Sequence, residues 1–144
     1  MSGIRAGNTR PELLVRKALH ARGLRYRLHA SGLPGKPDMV LPKHRTAIFI
    51  HGCFWHGHDC PLFRMPGTRQ EFWEAKIGRN MARDQEVSRE IAKAGWRQAT
   101  VWECAIRGRN RIGIEETVNR ILAWLPDASS RCLDIRAPKA GMAA

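Results

Sequence analysis

The chain has 144 residues, 43% of them hydrophobic, with 25 Lys and Arg against 13 Asp and Glu and a formal charge of +12. That length suits one domain with a single core, and a pI near 10.8 points to a polyanionic partner, nucleic acid before any anionic surface. No apolar run approaches membrane-spanning length and no signal peptide is evident, so a membrane partner is set aside, and the four cysteines are expected to be reduced, without disulfides.

Thr9-Arg10-Pro11-Glu12 matches a capping box, and the apolar face that follows predicts a helix over residues 10–22, ended by Gly23. This front third is strongly basic: residues 1–45 hold ten Lys and Arg and two acids, a net +8. After the breaker-rich Gly32-Leu33-Pro34-Gly35-Lys36-Pro37, the runs Asp38-Met39-Val40-Leu41 and Thr46-Ala47-Ile48-Phe49-Ile50 read as two strands of a hairpin. Thr68-Arg69-Gln70-Glu71 reads as a second capping box, opening a helical tract to Gly95 that Gly78 is placed to break. Gln98–Trp102 is the third strand, and a last helix carries Ile114, Val118, Ile121, Leu122 and Leu125 on one face before Pro126. The expected domain spans residues 1–126, with 127–144 a flexible tail. The order of elements predicts an α/β fold with a mixed central sheet flanked by helices.

Between the second strand and the long helix lies HGCFWHGHDC, residues 51–60. Cys53, His58 and Cys60, joined by Cys104, make the donor set of a closed structural zinc site, in a loop with few apolar side chains to fold around instead; Cys132 is the spare. His51 and His56 are then free. A histidine has a reference pKa near ~6.5, which suits proton transfer, while the commoner use of such a pair is on a surface or beside zinc ligands. Asp38 is either a turn cap or a ligand for a hard cation such as Mg2+, and the capping box already accounts for Glu12. Taken alone, Phe54, Trp55 and Trp73 belong in a core.

The runs Gly35-Lys36-Pro37-Asp38, Phe49-Ile50-His51-Gly52-Cys53-Phe54-Trp55-His56, Thr68-Arg69 with Phe72-Trp73, Lys76-Ile77-Gly78 and Asn80, and Val101-Trp102-Glu103-Cys104-Ala105 closely resemble the very-short-patch repair (Vsr) DNA mismatch endonucleases over residues 4–109. The resemblance implies a restriction-endonuclease-like core. It implies catalytic Mg2+ on Asp38 and the main-chain carbonyl of Ile50, with Glu12 reaching the ion through water. It places His51 and His56 at the reacting phosphate, His56 activating water with support from Asp84, and it maps structural zinc onto Cys53, His58, Cys60 and Cys104. Phe54, Trp55 and Trp73 become a wedge that enters the DNA stack.

The implied activity is nicking of one strand beside a T·G mismatch left by deamination of 5-methylcytosine, by a monomer in the bacterial cytoplasm, associated with the nucleoid and with mismatch-repair proteins as candidate partners. Two departures stand out. Relatives extend further ahead of Ile4 with a basic segment, and the second strand lacks the Glu-x-Lys pair common in related nucleases, which shifts proton work onto the histidines. The rivals are a zinc-stabilised module that binds distorted DNA without cutting, and a nuclease whose zinc is itself catalytic.

Overall fold

The computed structural model describes residues 9–29 and 32–139; Ile4 and residues 140–144 of the expected tail lie outside them. α1 spans Arg10–Ala21, β1 Arg27–Leu28, β2 Met39–Leu41, β3 Thr46–His51, α2 Gln70–Lys93, β4 Arg97–Trp102, α3 Glu103–Ile106, α4 Ile114–Trp124 and β5 Cys132–Ile135. The five strands form one sheet in the order β1-β2-β3-β4-β5. β1, β2 and β3 pair antiparallel, and β3, β4 and β5 pair parallel. The expected hairpin is present, turned by one 3-10 turn, Pro42–His44.

Alternation along the strands assigns the two faces. Met39, Leu41 and Ile48 pack with Val15 and Leu19 of α1 and Val118 and Ile121 of α4. Ala47 and Phe49, the intervening residues of β3, pack on Val87 and Ile91 of α2. The sheet is thus covered by α1 and α4 on one side and by α2 on the other, a mixed α/β arrangement as expected. Asp38 and His51 fall in step with the α2-facing residues, which brings chemistry from β2 and β3 to the side where α2 lies.

Three expectations need correction. The second capping box does not form: the cap of α2 is Arg69, left-handed at φ 55°, with no side-chain cap bond, and its guanidinium lies 4.5 Å over the Phe72 ring. α2 also runs unbroken for 24 residues through Gly78, whose missing side chain faces open space. Part of the expected tail is β5, whose Leu133 and Ile135 pair with Ala99 and Val101.

Arg97 is a buried cation, 5% exposed, that the sequence reading leaves unassigned. Its guanidinium donates to the carbonyls of Ser130, Leu125, Trp124 and Asp127 at 2.9–3.1 Å and lies 4.0 Å over the Trp124 ring. It fastens β4 to the end of α4, where the free carbonyls of a helix C-terminus favour a cation. Arg97→Met strips donors from four carbonyls at once and is expected to lower unfolding free energy by about 3 kcal/mol, read as a lower urea midpoint at unchanged slope.

Candidate active site and metal cluster

A cleft of about 570 Å³ opens over the C-terminal end of β3, with Asp38, Ile50, His51, Trp55, His56 and Asp84 in its wall. Two close approaches shape it. Gly35 has φ +75°, and a Cβ there would meet Val87 at 2.5 Å, so the loop leading to Asp38 can lie on α2 only as glycine. Gly57 has φ +60°, and a Cβ there would meet Met81 at 2.6 Å and Ile77 at 2.8 Å, which seats the Cys/His loop further along the same helix.

Asp38 accepts a 2.7 Å hydrogen bond from the Ile50 amide through Oδ2. Burial raises its pKa from 3.8 to about 6, against the lowering by that amide and with a further rise from the nearby Glu12 charge. Glu12 is only 1% exposed. The expected N-cap is Thr9, whose Oγ1 accepts from the Glu12 amide at 3.4 Å. The Glu12 carboxylate meets His29 Nε2 at 2.7 Å and Arg16 at 3.5 Å. Ligand atoms of Glu12, His29 and Asp38 all lie within 4.8 Å of one another, an oxygen-rich donor set suited to a divalent cation. His29 was missed from sequence because nothing in its neighbours marks it.

His56 Nδ1 meets Asp84 Oδ2 at 2.6 Å. In the neutral ring that bond puts the proton on Nδ1 and leaves Nε2 as an acceptor. His51 stacks on His56 with ring centroids 3.8 Å apart and planes 7° from parallel. Burial, reinforced by His56, lowers the His51 pKa to about 3, so the pair carries a neutral ring beneath the His56–Asp84 dyad.

The second cluster holds Cys53, His58, Cys60 and Cys104, with donor atoms again within 4.8 Å of one another. Metal bonds of about 2.3 Å to sulfur and 2.0–2.1 Å to nitrogen give a tetrahedral S···N edge near ~3.6 Å. His58 Nδ1 lies 3.5 Å from Cys53 Sγ and 3.6 Å from Cys104 Sγ, so the donors fit a tetrahedral ion. Cys104 releases its proton first: the hydrogen bond from Cys53 lowers its pKa to about 5 despite burial, with help from the Ala137 amide 3.4 Å away. Cys53 is raised in turn by that bond and by burial.

Residues unassigned from sequence lock this cluster to its surroundings. Trp102 stacks on His58 at 3.9 Å, meets His51 edge-on at 5.1 Å, and donates through Nε1 to Asp134 of β5 at 2.8 Å. Arg136 bonds both the carboxylate and the carbonyl of Asp59. Asp59, without a role in the sequence reading, thus ties the loop to the segment after β5. Cys132 is exposed on β5, away from the cluster.

Phe54, Trp55 and Trp73 converge, with ring centroids 5.0–5.8 Å apart in each pair. None of the three is buried, unlike the core position their composition suggests. Asn80 Nδ2 donates to the Trp55 carbonyl at 2.8 Å and fixes the loop at that point. Trp55 of this group lines the cleft, and exposed Phe72 meets Trp73 edge-on at 5.1 Å.

A family model described as DNA mismatch endonuclease Vsr matches residues 1–62. The chain is 42% identical over 125 residues to the DNA mismatch endonuclease Vsr of Escherichia coli (strain K12), an alignment covering 87% of this chain and 80% of the relative. It is 49% identical over 106 residues to the type II nicking enzyme V.XorIIP of Xanthomonas oryzae pv. oryzae, covering 74% and 78%. A third relative, the type II nicking enzyme V.NmeAIP of Neisseria meningitidis, is 41% identical over 128 residues, covering 89% and 90%.

Proposed function

The chain belongs to the DNA mismatch endonuclease Vsr family and is a DNA endonuclease, and from that premise we propose that it nicks one strand of duplex DNA beside a T·G mismatch, using Mg2+ at Asp38 and structural zinc at the Cys/His cluster. The observation that carries this reading is one cleft holding a half-buried carboxylate, a His–Asp dyad and a stacked second histidine next to an unburied aromatic cluster. The core is then restriction-endonuclease-like, one domain in which β2 follows Asp38 and β3 ends at His51, with the helical and looped remainder serving that sheet.

Asp38, the Ile50 carbonyl and, through water, Glu12 would hold the ion. When bound, it supplies Lewis-acid stabilisation of charge on the phosphate and lowers the pKa of water. His56, its Nδ1–H held in a hydrogen bond to Asp84, accepts the proton of the attacking water at Nε2. His51 stays neutral, sets the plane of His56 by stacking, and offers an N–H to a phosphate oxygen. Phe54, Trp55 and Trp73 enter the stack, where opening a step takes a few kcal/mol and least at a mispair. The +12 charge supplies phosphate contacts that hold the duplex without reading it.

The deciding measurement is strand-specific cleavage of a duplex with one T·G pair beside its T·A counterpart, with Mg2+ present. Nicking of one strand of the mismatched duplex alone is expected; binding without any cleavage identifies a recognition module instead. In the same assay His56→Ala should lower the single-turnover rate by about 10²–10⁴-fold with duplex affinity kept. Asp84→Asn should have a smaller effect, because it disturbs only the tautomer and orientation of His56.

A further inference from the structure

We infer that His29 is a third protein ligand of the catalytic cation, giving this site a nitrogen donor that favours a first-row ion such as Mn2+ over Mg2+. The inference rests on the proposed role of Asp38. Three observations place His29 there. Its amide donates to the carbonyl of Asp38 at 3.0 Å, extending the pairing of β1 with β2 by one rung, so the two backbones are clamped opposite each other. Its φ is 46°, in the left-handed region that most non-glycine residues avoid. Its Nε2 lies 2.7 Å from Glu12 Oε2, against a carboxylate that is almost wholly buried.

The donor atoms of Glu12, His29 and Asp38 lie within 4.8 Å of one another. A divalent ion with bonds of about 2.1 Å holds opposite ligands about 4.2 Å apart, so roughly half an ångström of closure suffices. A surface ion pair would not need this arrangement, since Arg16 already stands 3.5 Å from the same carboxylate as a counter-charge. Mg2+ takes oxygen ligands and holds its waters tightly, whereas imidazole shifts relative affinity toward first-row metals. A histidine nitrogen beside Asp38 and the Ile50 carbonyl therefore separates the two ions where an all-oxygen set would not.

The test uses the zinc-loaded full chain with Mn2+ as probe. Pulsed electron paramagnetic resonance of the Mn2+ complex should show nitrogen modulation from a directly bound imidazole, absent in His29→Gln, which keeps a polar partner for Glu12. Titration should show the Mn2+ Kd rising about tenfold in His29→Gln while the Mg2+ Kd moves less than twofold. Thermal melts matched to the parent establish that the variant is folded; a variant that melts early is replaced by His29→Asn for the same measurement. His56→Ala should keep the nitrogen signal. Its loss there, its persistence without His29, or its absence from the parent overturns the assignment. Mn2+ bound normally by Asp38→Ala would instead overturn the reading of Asp38, leaving that failure distinct from one at His29.

Discussion

Replacing Asp38 by Asn is expected to slow nicking of a T·G duplex by about a thousandfold or more, with duplex affinity close to that of the parent. A carboxylate that holds the cation supplies several kcal/mol of transition-state charge stabilisation, and each ~1.4 kcal/mol is a factor of ten. The binding surface is untouched, because Asn retains an oxygen to accept the Ile50 amide. The same change should stabilise the Mg2+-free protein. Burial raises the Asp38 pKa from 3.8 to about 6, so the fold favours the protonated form. That contribution is complete below about pH 4 and is lost as the pH rises through 6. Above it the buried charge costs up to about 3 kcal/mol, at ~1.4 kcal/mol per pKa unit. Asp38→Asn should therefore melt several degrees higher than the parent at pH 8 and about equally at pH 4. The comparison needs zinc-loaded protein in magnesium-free buffer without chelator, so that the Cys/His cluster stays filled. Undiminished nicking by Asp38→Asn would remove this residue from the catalytic assignment. A melting point unchanged at pH 8 would show that the carboxylate is held for structure.

Elements whose cause is local were legible: Thr9 caps α1, the apolar face of α4 is continuous, and the hairpin joins an apolar run closed by Pro42 to the β-branched run of β3. The Cys/His cluster was legible from chemistry, since three cysteines and a histidine around one loop leave few other uses. What failed depends on contacts far apart in the chain. β5 alternates exposed Cys132 and Asp134 with inward Leu133 and Ile135, but four residues are too few for that alternation to stand out in sequence, and its pairing with β4 supplies the order. Arg97 looked like one more basic residue, because its four carbonyl partners come from the end of α4 and the turn after it. α2 starts at a left-handed arginine in place of the threonine signal, and Gly78 sits inside it where a long helix tolerates one weak position. The roles of Glu12 and Asp84 came from family likeness alone, and that of His51 mainly so. Glu12 shows why: its amide is capped by Thr9 while its carboxylate turns to His29, and only the cap leaves a sequence pattern.

Replacing Cys104 by Ser is expected to abolish cooperative folding at 37 °C, and with it both nicking and duplex binding. A hydroxyl stays protonated where the thiolate of Cys104 is the most acidic donor of the set, held at about 5 by the hydrogen bond from Cys53. Structural zinc contributes apparent binding free energies of about 10–16 kcal/mol in small domains, comparable to the ~5–15 kcal/mol that separates a whole domain from its unfolded state. Losing most of that interaction leaves no margin. The loop around Cys53 has little to replace it, since between Gly52 and Gly67 only Cys53 and His58 are buried. The damage should spread along the stacked rings, because Trp102 lies on His58 at 3.9 Å and meets His51 at 5.1 Å. It should also reach the segment after β5, whose Ala137 amide lies 3.4 Å from Cys104 Sγ. Cys132→Ser is the matched control: an exposed thiol on β5 outside the cluster should leave the melting point within about 2 °C. Zinc content by elemental analysis should fall from one ion per chain to near zero in Cys104→Ser and remain at one in Cys132→Ser. A Cys104→Ser protein that melts like the parent but no longer nicks would mean that the ion has an open position and takes part in the chemistry, as in catalytic zinc sites with three protein ligands.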